Sequence, residues 1–302
     1  MKILISGATG LVGSVLLEQA IAQGHKIHYL TTRKSQLNAI SGAKGFYWNP
    51  KQNDIDLNCF EGVEVIFHLA GASISQRWTA KNKKEILDSR VDGTKLLVNA
   101  IKQFKGNNQL KHVVAASAIG IYPSSFSAIY TEDYTPQSNS FLEEVVIAWE
   151  KAEDGFSTLG LKLCKLRIGL VLTAKGGVLG PLKIPTWFGL GAAFGNGQQT
   201  QSWIHVDDLV AISLKAAKDQ WEGIYNAVSP KPVSQKVFTR TLAKAMRRPY
   251  FMPSLPQFPI RLVMGEMSTL VFNSQNVSAA KILQKGFRYQ YPDLLPAIKS
   301  LL

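Results

Sequence analysis

KILISGATGLVGSVLLEQAIAQG, residues 2–24, is the stretch that decides the fold. Lys2–Ser6 is a short apolar run, read as a strand. Leu11–Ala22 then carries apolar residues at helical spacing and stops at Gly24. Between them stand Gly7, Gly10 and Gly13, spaced G-x-x-G-x-x-G. A glycine triplet joining a first buried strand to a helix has three physical uses: it permits a tight turn, it lets a phosphate approach the backbone, and it lets helix and strand pack closely. The amides that open the helix then face the phosphates. Gly7, Thr9, Gly10, Leu11, Val12 and Gly13 are therefore expected to hold a dinucleotide pyrophosphate.

Working outward, strands and helices alternate. Strands are expected at Lys26–Thr32, Val63–Leu69, His112–Ala118, Leu161–Leu172 and Ile224–Ala227. Helices are expected at Lys81–Phe104, Ser140–Leu159 (with Ser140 as N-cap and Glu143 completing a capping box), Asp207–Lys218 and Ser234–Met246. Alternation of this kind builds right-handed crossovers. The fold class is α/β, a Rossmann doubly wound parallel sheet with a smaller α/β carboxy-terminal substrate region. Residues 1–172 are assigned to the dinucleotide-binding domain, with later returns to the sheet up to about residue 230, and residues 173–302 to the substrate region. Gly176–Gly197, rich in glycine, is expected to loop around a site lined by Trp187, Phe188 and Trp203. Arg248–Pro259 is expected to carry no helix.

The end of the second strand selects the cofactor. An NAD site usually supplies an acid there for the ribose hydroxyls; an NADP site supplies a hydroxyl and an arginine for the 2′-phosphate. Thr32 and Arg33 stand at that point with no acid beside them. NADP (NADPH) is the expected cofactor. Leu69, Ala70 and Gly71 close the next strand with small side chains that let the adenosine side lie against the backbone.

Composition excludes other classes. Lysine and arginine total 34 against 21 acids, a formal charge of +13. The basic residues are scattered, and no basic-aromatic interleaving suited to single strands occurs, so no nucleic-acid partner is expected. The excess suits a phosphorylated or nucleotide-linked small molecule. No run approaches a membrane span, so no membrane partner is expected, and the amino terminus lacks the pattern of a signal peptide. Cys59 and Cys164 lie far apart in apolar surroundings and read as buried thiols, with no metal-like spacing. A cytoplasmic location is expected.

Four segments taken together resemble a known superfamily: Gly7–Gly13 (GATGLVG), His68–Gly71 (HLAG), Ser117-x-x-Gly-x-Tyr122 and Trp203–Asp208 (WIHVDD). They resemble the extended short-chain dehydrogenase/reductases. More narrowly, the chain is similar to epimerase family proteins of the NAD-dependent epimerase/dehydratase group that carry a carboxy-terminal domain of unknown function. Ser89-Arg90, Trp149-Glu150, Gly195–Gly197 (GNG), Met264–Met267 (MGEM), Ser274–Val277 (SQNV) and Gly286–Pro292 (GFRYQYP) carry that closer resemblance. The resemblance implies that Glu85, Arg90 and Arg167 also contact the cofactor. Arg167 interrupts an apolar strand, and a buried arginine needs a partner.

The resemblance also exposes a gap. Active members use a Tyr-x-x-x-Lys pair on the helix after the serine strand, where the lysine charge eases tyrosine ionisation. In Phe141–Glu150 the matching positions are Leu142 and Val146, which exchange no proton. Tyr47-x-x-x-Lys51 has the spacing but comes too early and is interrupted by Pro50. Ser117 and Tyr122 remain as candidate catalytic residues. His205 is read as structural and Asp207 as the cap of the next helix. Two functions stay open: an NADP-dependent oxidoreductase or nucleotide-sugar-epimerase-like enzyme on a small molecule, or a non-catalytic NADP(H)-binding redox sensor or partner-binding protein. Monomer and homodimer are both compatible with the apolar stripe and the acids Glu143 and Glu144 of Ser140–Leu159.

Overall fold

A computed structural model describes residues 1–302. Its main sheet has eight strands: β1 (Lys2–Ser6), β2 (Lys26–Thr31), β3 (Ala43–Asn49), β4 (Asp54–Ile55), β5 (Val65–His68), β6 (His112–Ala118), β8 (Lys162–Ile168) and β13 (Gly223–Ala227). A two-residue strand, β7 (Ile129–Tyr130), lies outside it. The order is β13-β8-β6-β5-β1-β2-β3-β4, parallel except at β4. The chain winds outward from β1 to β3, then returns to β5 and winds the other way. The reversal opens a crevice at the carboxyl ends of β1 and β5, where such sheets take their ligands.

The central strands β1, β5 and β6 are apolar runs buried on both faces, as a covered parallel sheet requires, while β3 and β4 at the edge are only partly buried. On one face α1 (Leu11–Ala22) packs with α5 (Val206–Lys218). On the other α2 (Ala80–Gln103) packs with α3 (Phe141–Ser157). Each layer closes its own core: Leu16, Ile204 and Leu209 on the first side, Leu97, Val113 and Phe156 on the second. α3 starts as expected, with Ser140 Oγ accepting from the Glu143 amide. The Glu143 carboxylate does not return to the cap; it accepts from the amides of Gln137 and Asn139 and is 1% exposed, so only Glu144 faces solvent.

The expected strand Leu161–Leu172 breaks at Gly169, where a Cβ would come within 2.4 Å of the Ser202 carbonyl oxygen. The close approach turns β9 (Leu170–Thr173) out of the main sheet. It pairs instead with β10 (Gly176–Gly177) and with β12 (Trp203–His205), while β11 (Thr200–Gln201) pairs with β14 (Val233–Ser234). β15 (Asn276–Val277) reaches back to β7. Helices complete this part: α4 (Leu179–Trp187), α6 (Gln235–Ala245), α7 (Gln257–Met264), α8 (Thr269–Phe272), α9 (Ala280–Gln284) and α10 (Leu294–Lys299). Two of these correct expectations. α4 forms inside the glycine-rich stretch because Pro181 stands in its first turn, where amides have no helical partner. α7 begins directly after Pro256, inside a stretch expected to hold no helix.

Candidate functional site

The turn after β1 is shaped by what its glycines exclude. Gly7 has φ +74°, and a Cβ there would lie 2.9 Å from the backbone of Leu69 and Ala70. A Cβ on Gly13 would meet the Gly7 carbonyl oxygen at 2.1 Å. Gly10 is the N-cap of α1 and supplies no side-chain bond, so the opening amides stay free beside exposed Thr9 and Leu11. This cradle fits an anionic group held by backbone N–H.

A buried chain of side chains fixes the second edge of the cradle. Thr94 Oγ1 donates to the Arg90 carbonyl, so it accepts from His68 Nε2 at 2.9 Å. His68 Nδ1 then accepts from Ser6 Oγ at 2.7 Å, and Ser6 Oγ in turn accepts from the amides of Leu69 and Ala70. Burial holds the His68 imidazole down at about 4, so it is neutral at physiological pH. His68 had been quoted only as part of HLAG. Its role depends on Thr94, 26 positions away, and no local spacing announces that pairing.

Thr32 and Arg33 are exposed at the end of β2, and the Arg33 amide donates to Thr31 Oγ1. Glu85 is partly exposed and pairs with Lys51 at 3.0 Å. Arg90 is different. It lies against Gly71, donates to the carbonyls of Ala72 and Ile86, and stacks over Trp149 at 5.0 Å. It has no carboxylate partner, and burial lowers its pKa to about 10.

Arg90 borders a cavity of about 200 Å³ at the carboxyl ends of β6 and β8. Leu142, Val146 and Trp149 of α3 form one wall, with Ala118–Gly120 and Ile168–Leu170 beside them. Thr200, Ser202, Leu270, Asn273 and Gln275 complete it. The two positions that would carry the tyrosine and lysine therefore do face this space, as apolar groups. Asn273 and Gln275, from the far carboxy-terminal segment, carry no role in the sequence reading; the SQNV motif, which contains Gln275 and directly follows Asn273, is the only signal.

The other candidates lie behind the wall. Side chains alternate across β6, so Ala118 reaches the cavity while Ser117 points inward, 2% exposed, and donates to Glu150 Oε1 at 2.5 Å. Arg167 is 2% exposed and binds both oxygens of Glu150, through Nε at 2.9 Å and a terminal nitrogen at 3.0 Å. Its other terminal nitrogen donates to Tyr122 Oη, which donates to Asn226 Oδ1. Burial disfavours the guanidinium charge, but the bidentate carboxylate outweighs it and raises the Arg167 pKa. Burial pushes the Tyr122 phenol up, away from a phenolate. None of Ser117, Tyr122 and Arg167 lines the cavity.

Three further expectations change. Trp203 is fully buried and donates to the Lys231 carbonyl, while Trp187 and Phe188 face solvent, so none of the three lines the cavity. The cap of α5 is His205, whose Nδ1 accepts from the Asp207 amide; its Nε2 meets Ser300 Oγ at 3.1 Å and its ring lies on Tyr291. Asp207 falls two positions too late to cap, as the second residue of the helix. Cys59 and Cys164 are buried, and burial raises both thiols, Cys164 to about 12.

A model of the NAD dependent epimerase/dehydratase family matches residues 3–166. The chain belongs to that family. A domain of unknown function (DUF1731) matches residues 255–301 of this epimerase-family chain, which include Leu270, Asn273 and Gln275 of the cavity. An epimerase family protein of Staphylococcus aureus (strain MRSA252) is 35% identical, covering 99% of this chain and 98% of its own. The human epimerase family protein SDR39U1, solved with NADPH, superposes with TM-score 0.86 at 28% identity, covering 100% and 99%. The nucleoside-diphosphate sugar epimerase of Corynebacterium glutamicum gives TM-score 0.78 at 29% identity, covering 99% of this chain and 57% of the other. The chain thus has the fold and cofactor-binding framework of an NAD(P)-binding epimerase family, and no helix of it is long and apolar enough to cross a membrane.

Proposed function

We propose that this chain is an NADP-dependent oxidoreductase or epimerase-like enzyme acting on a small carbonyl or hydroxyl compound, phosphorylated or nucleotide-linked. One observation carries the reading: the glycine cradle, the acid-free Thr32–Arg33 edge and the Arg90 cavity lie along one crevice of the sheet. The NADPH in the human relative supports it. In this reading Gly7–Gly13 hold the pyrophosphate, Thr32 and Arg33 the 2′-phosphate, and Leu69–Gly71 the adenosine side. Arg90 is the cofactor or substrate contact nearest the reacting end, and Glu85 flanks it.

When bound, the nicotinamide would give up a hydride in its reduced form or take one in its oxidised form. The chain supplies proximity and an apolar wall that excludes water around the transfer. Leu142 and Val146 offer no proton, so the proton comes from the substrate itself or from a single water held on the polar side of the cavity, where Thr200, Ser202, Asn273 and Gln275 orient it while the apolar wall keeps bulk water out. Ser117 and Tyr122 act through Glu150 and Arg167 as positioning residues. The second reading, a non-catalytic NADP(H)-binding sensor, is favoured by the same apolar pair.

Tryptophan-to-nicotinamide fluorescence titration with NADPH and NADH tests the cofactor. Arg33→Glu is expected to weaken NADPH by roughly tenfold to a hundredfold and to leave NADH nearly unchanged. Equal NADPH affinity in parent and variant sinks the 2′-phosphate role. Oxidation of bound NADPH by any of a set of carbonyl or sugar-nucleotide compounds then decides for the enzyme, and tight binding without turnover decides for the sensor.

A further inference from the structure

The aromatic side chains that turn away from the cavity gather elsewhere. α7 buries none of its residues. On it Phe258, Leu262 and Val263 are 78%, 73% and 77% exposed. Beside it stand Trp187, Phe188 and Phe251, each more than half exposed. The two segments touch: Phe251 and Pro249 pack on Gly189, Arg248 lies over the Trp187 ring at 4.0 Å, and the Leu255 amide donates to the Ala193 carbonyl. The result is one exposed apolar tip built from two touching segments, well beyond the scattered apolar residues of an ordinary surface. An eight-residue helix that buries nothing has little to hold it in water, because helical stability comes mainly from packing an apolar face.

Charge at the tip has one sign. Between Glu222 and Glu266 the chain has seven basic residues and no acid. Of these only Lys231 meets a carboxylate, Asp293, at 2.7 Å. Arg248 and Arg261 lie over the aromatic rings of Trp187 and Phe272. Lys244 and Arg247 are exposed and unpaired at the end of α6.

We propose that this tip docks the protein on an anionic lipid surface, with α7 lying in the interface and the basic residues meeting the headgroups. A second copy of this chain is a poor occupant, since a two-fold interface would set the same unpaired cations against themselves. A protein groove would need to receive side chains that project outward in several directions. A lipid interface accepts a convex apolar tip with a cationic rim without a matched shape. No helix is long and apolar enough to cross a membrane, a fact with no bearing on a helix that lies along its surface.

The test is sedimentation of the full chain with vesicles of phosphatidylcholine alone or mixed with phosphatidylglycerol. Binding is expected to the mixed vesicles, and to fall with added salt. The triple variant Phe258→Ser, Leu262→Ser, Val263→Ser removes side chains no core depends on, and its melting temperature checks the fold. Its partition to mixed vesicles is expected to drop about tenfold or more. The proposal is overturned if the parent stays in the supernatant with mixed vesicles at low salt. It is also overturned if the folded variant partitions as the parent does, or if the parent is a dimer that the variant breaks.

Discussion

The two walls of the crevice are built on different terms. The wall at β1 and β5 is specified by backbone: Gly7 and Gly13 leave room that any side chain would fill, and Ser6, His68 and Thr94 tie the facing loop in place. The wall at β6, α3 and β8 is specified by side chains in two layers. An apolar skin, Leu142, Val146 and Ala118, faces the cavity; an ionic layer, Glu150 with Arg167, stands behind it. A backbone-read site leaves no space for a side chain at Gly7 or Gly13. A side-chain-read wall can keep its shape whatever its chemistry, and here Leu142 and Val146 make it apolar.

Breaking the second wall should have the largest effect. Glu150→Leu leaves Arg167 charged and unpaired in the core and should cost about 3–5 kcal/mol, read as a shift in the urea midpoint. A loss below about 1 kcal/mol would mean that water reaches Arg167 and that the layer is not dry. Breaking the first wall comes next. Gly13→Ala sets a methyl against the Gly7 carbonyl and should cost about 2–3 kcal/mol and abolish NADPH binding in titration; an unchanged Kd would show that the turn does not cradle the phosphates.

A pH series sharpens the contrast. His68 is neutral in the fold, with its pKa depressed to about 4, while in the unfolded chain it titrates near its ordinary value of about 6.5. The unfolded state therefore binds the extra proton first. Stability is full above about pH 6.5 and falls as pH drops toward about 4, by about 2–3 kcal/mol from this group. Buried His28, His112 and His205, whose pKa values burial also lowers, add in the same direction. His68→Gln should flatten part of that slope, and a slope identical to the parent's would place the proton elsewhere.

The smallest effect is a gain. Glu153 on α3 is fully buried, and neither carboxyl oxygen has a partner. Burial raises its pKa well above the usual carboxyl range, so it favours the protonated form. A carboxyl with a raised folded pKa adds most stability below its unfolded pKa and loses it as pH rises through the folded value. Glu153→Gln should therefore raise the melting temperature at pH 8 by an amount worth about 1 kcal/mol, and should change little at pH 5. A lower melting temperature at pH 8 would show that the carboxylate is needed.

The sheet was legible because its signals are local. An apolar run of five residues, a glycine turn and a helical period of 3.6 are each readable within a short window. The position of Thr32 and Arg33 at the exposed end of β2 was legible for the same reason, as was the apolar character of Leu142 and Val146. Expectations slipped where distance along the chain hid the partner. Arg167 announced its need for one but not that Glu150 would supply it. His205, not Asp207, caps α5 because Ser300 and Tyr291 hold its ring from the far end of the chain. Trp187 and Phe188 read as pocket aromatics, yet the packing of α4 against α6 turns them outward.

By itself the sequence determined the winding of the sheet, the place of the glycine cradle and the missing tyrosine and lysine, because each rests on backbone geometry or on residue identity at a fixed spacing. Tertiary structure alone decided which polar groups are buried together, that Ser117 faces Glu150 and not the cavity, and that residues 270–275 close the cavity from the other end of the chain. Those outcomes depend on contacts between separate elements of the chain, from 17 residues apart for Arg167 and Glu150 to 156 for Gln275 and Ile119, or across a strand's two faces, where burial, not spacing, selects the partner.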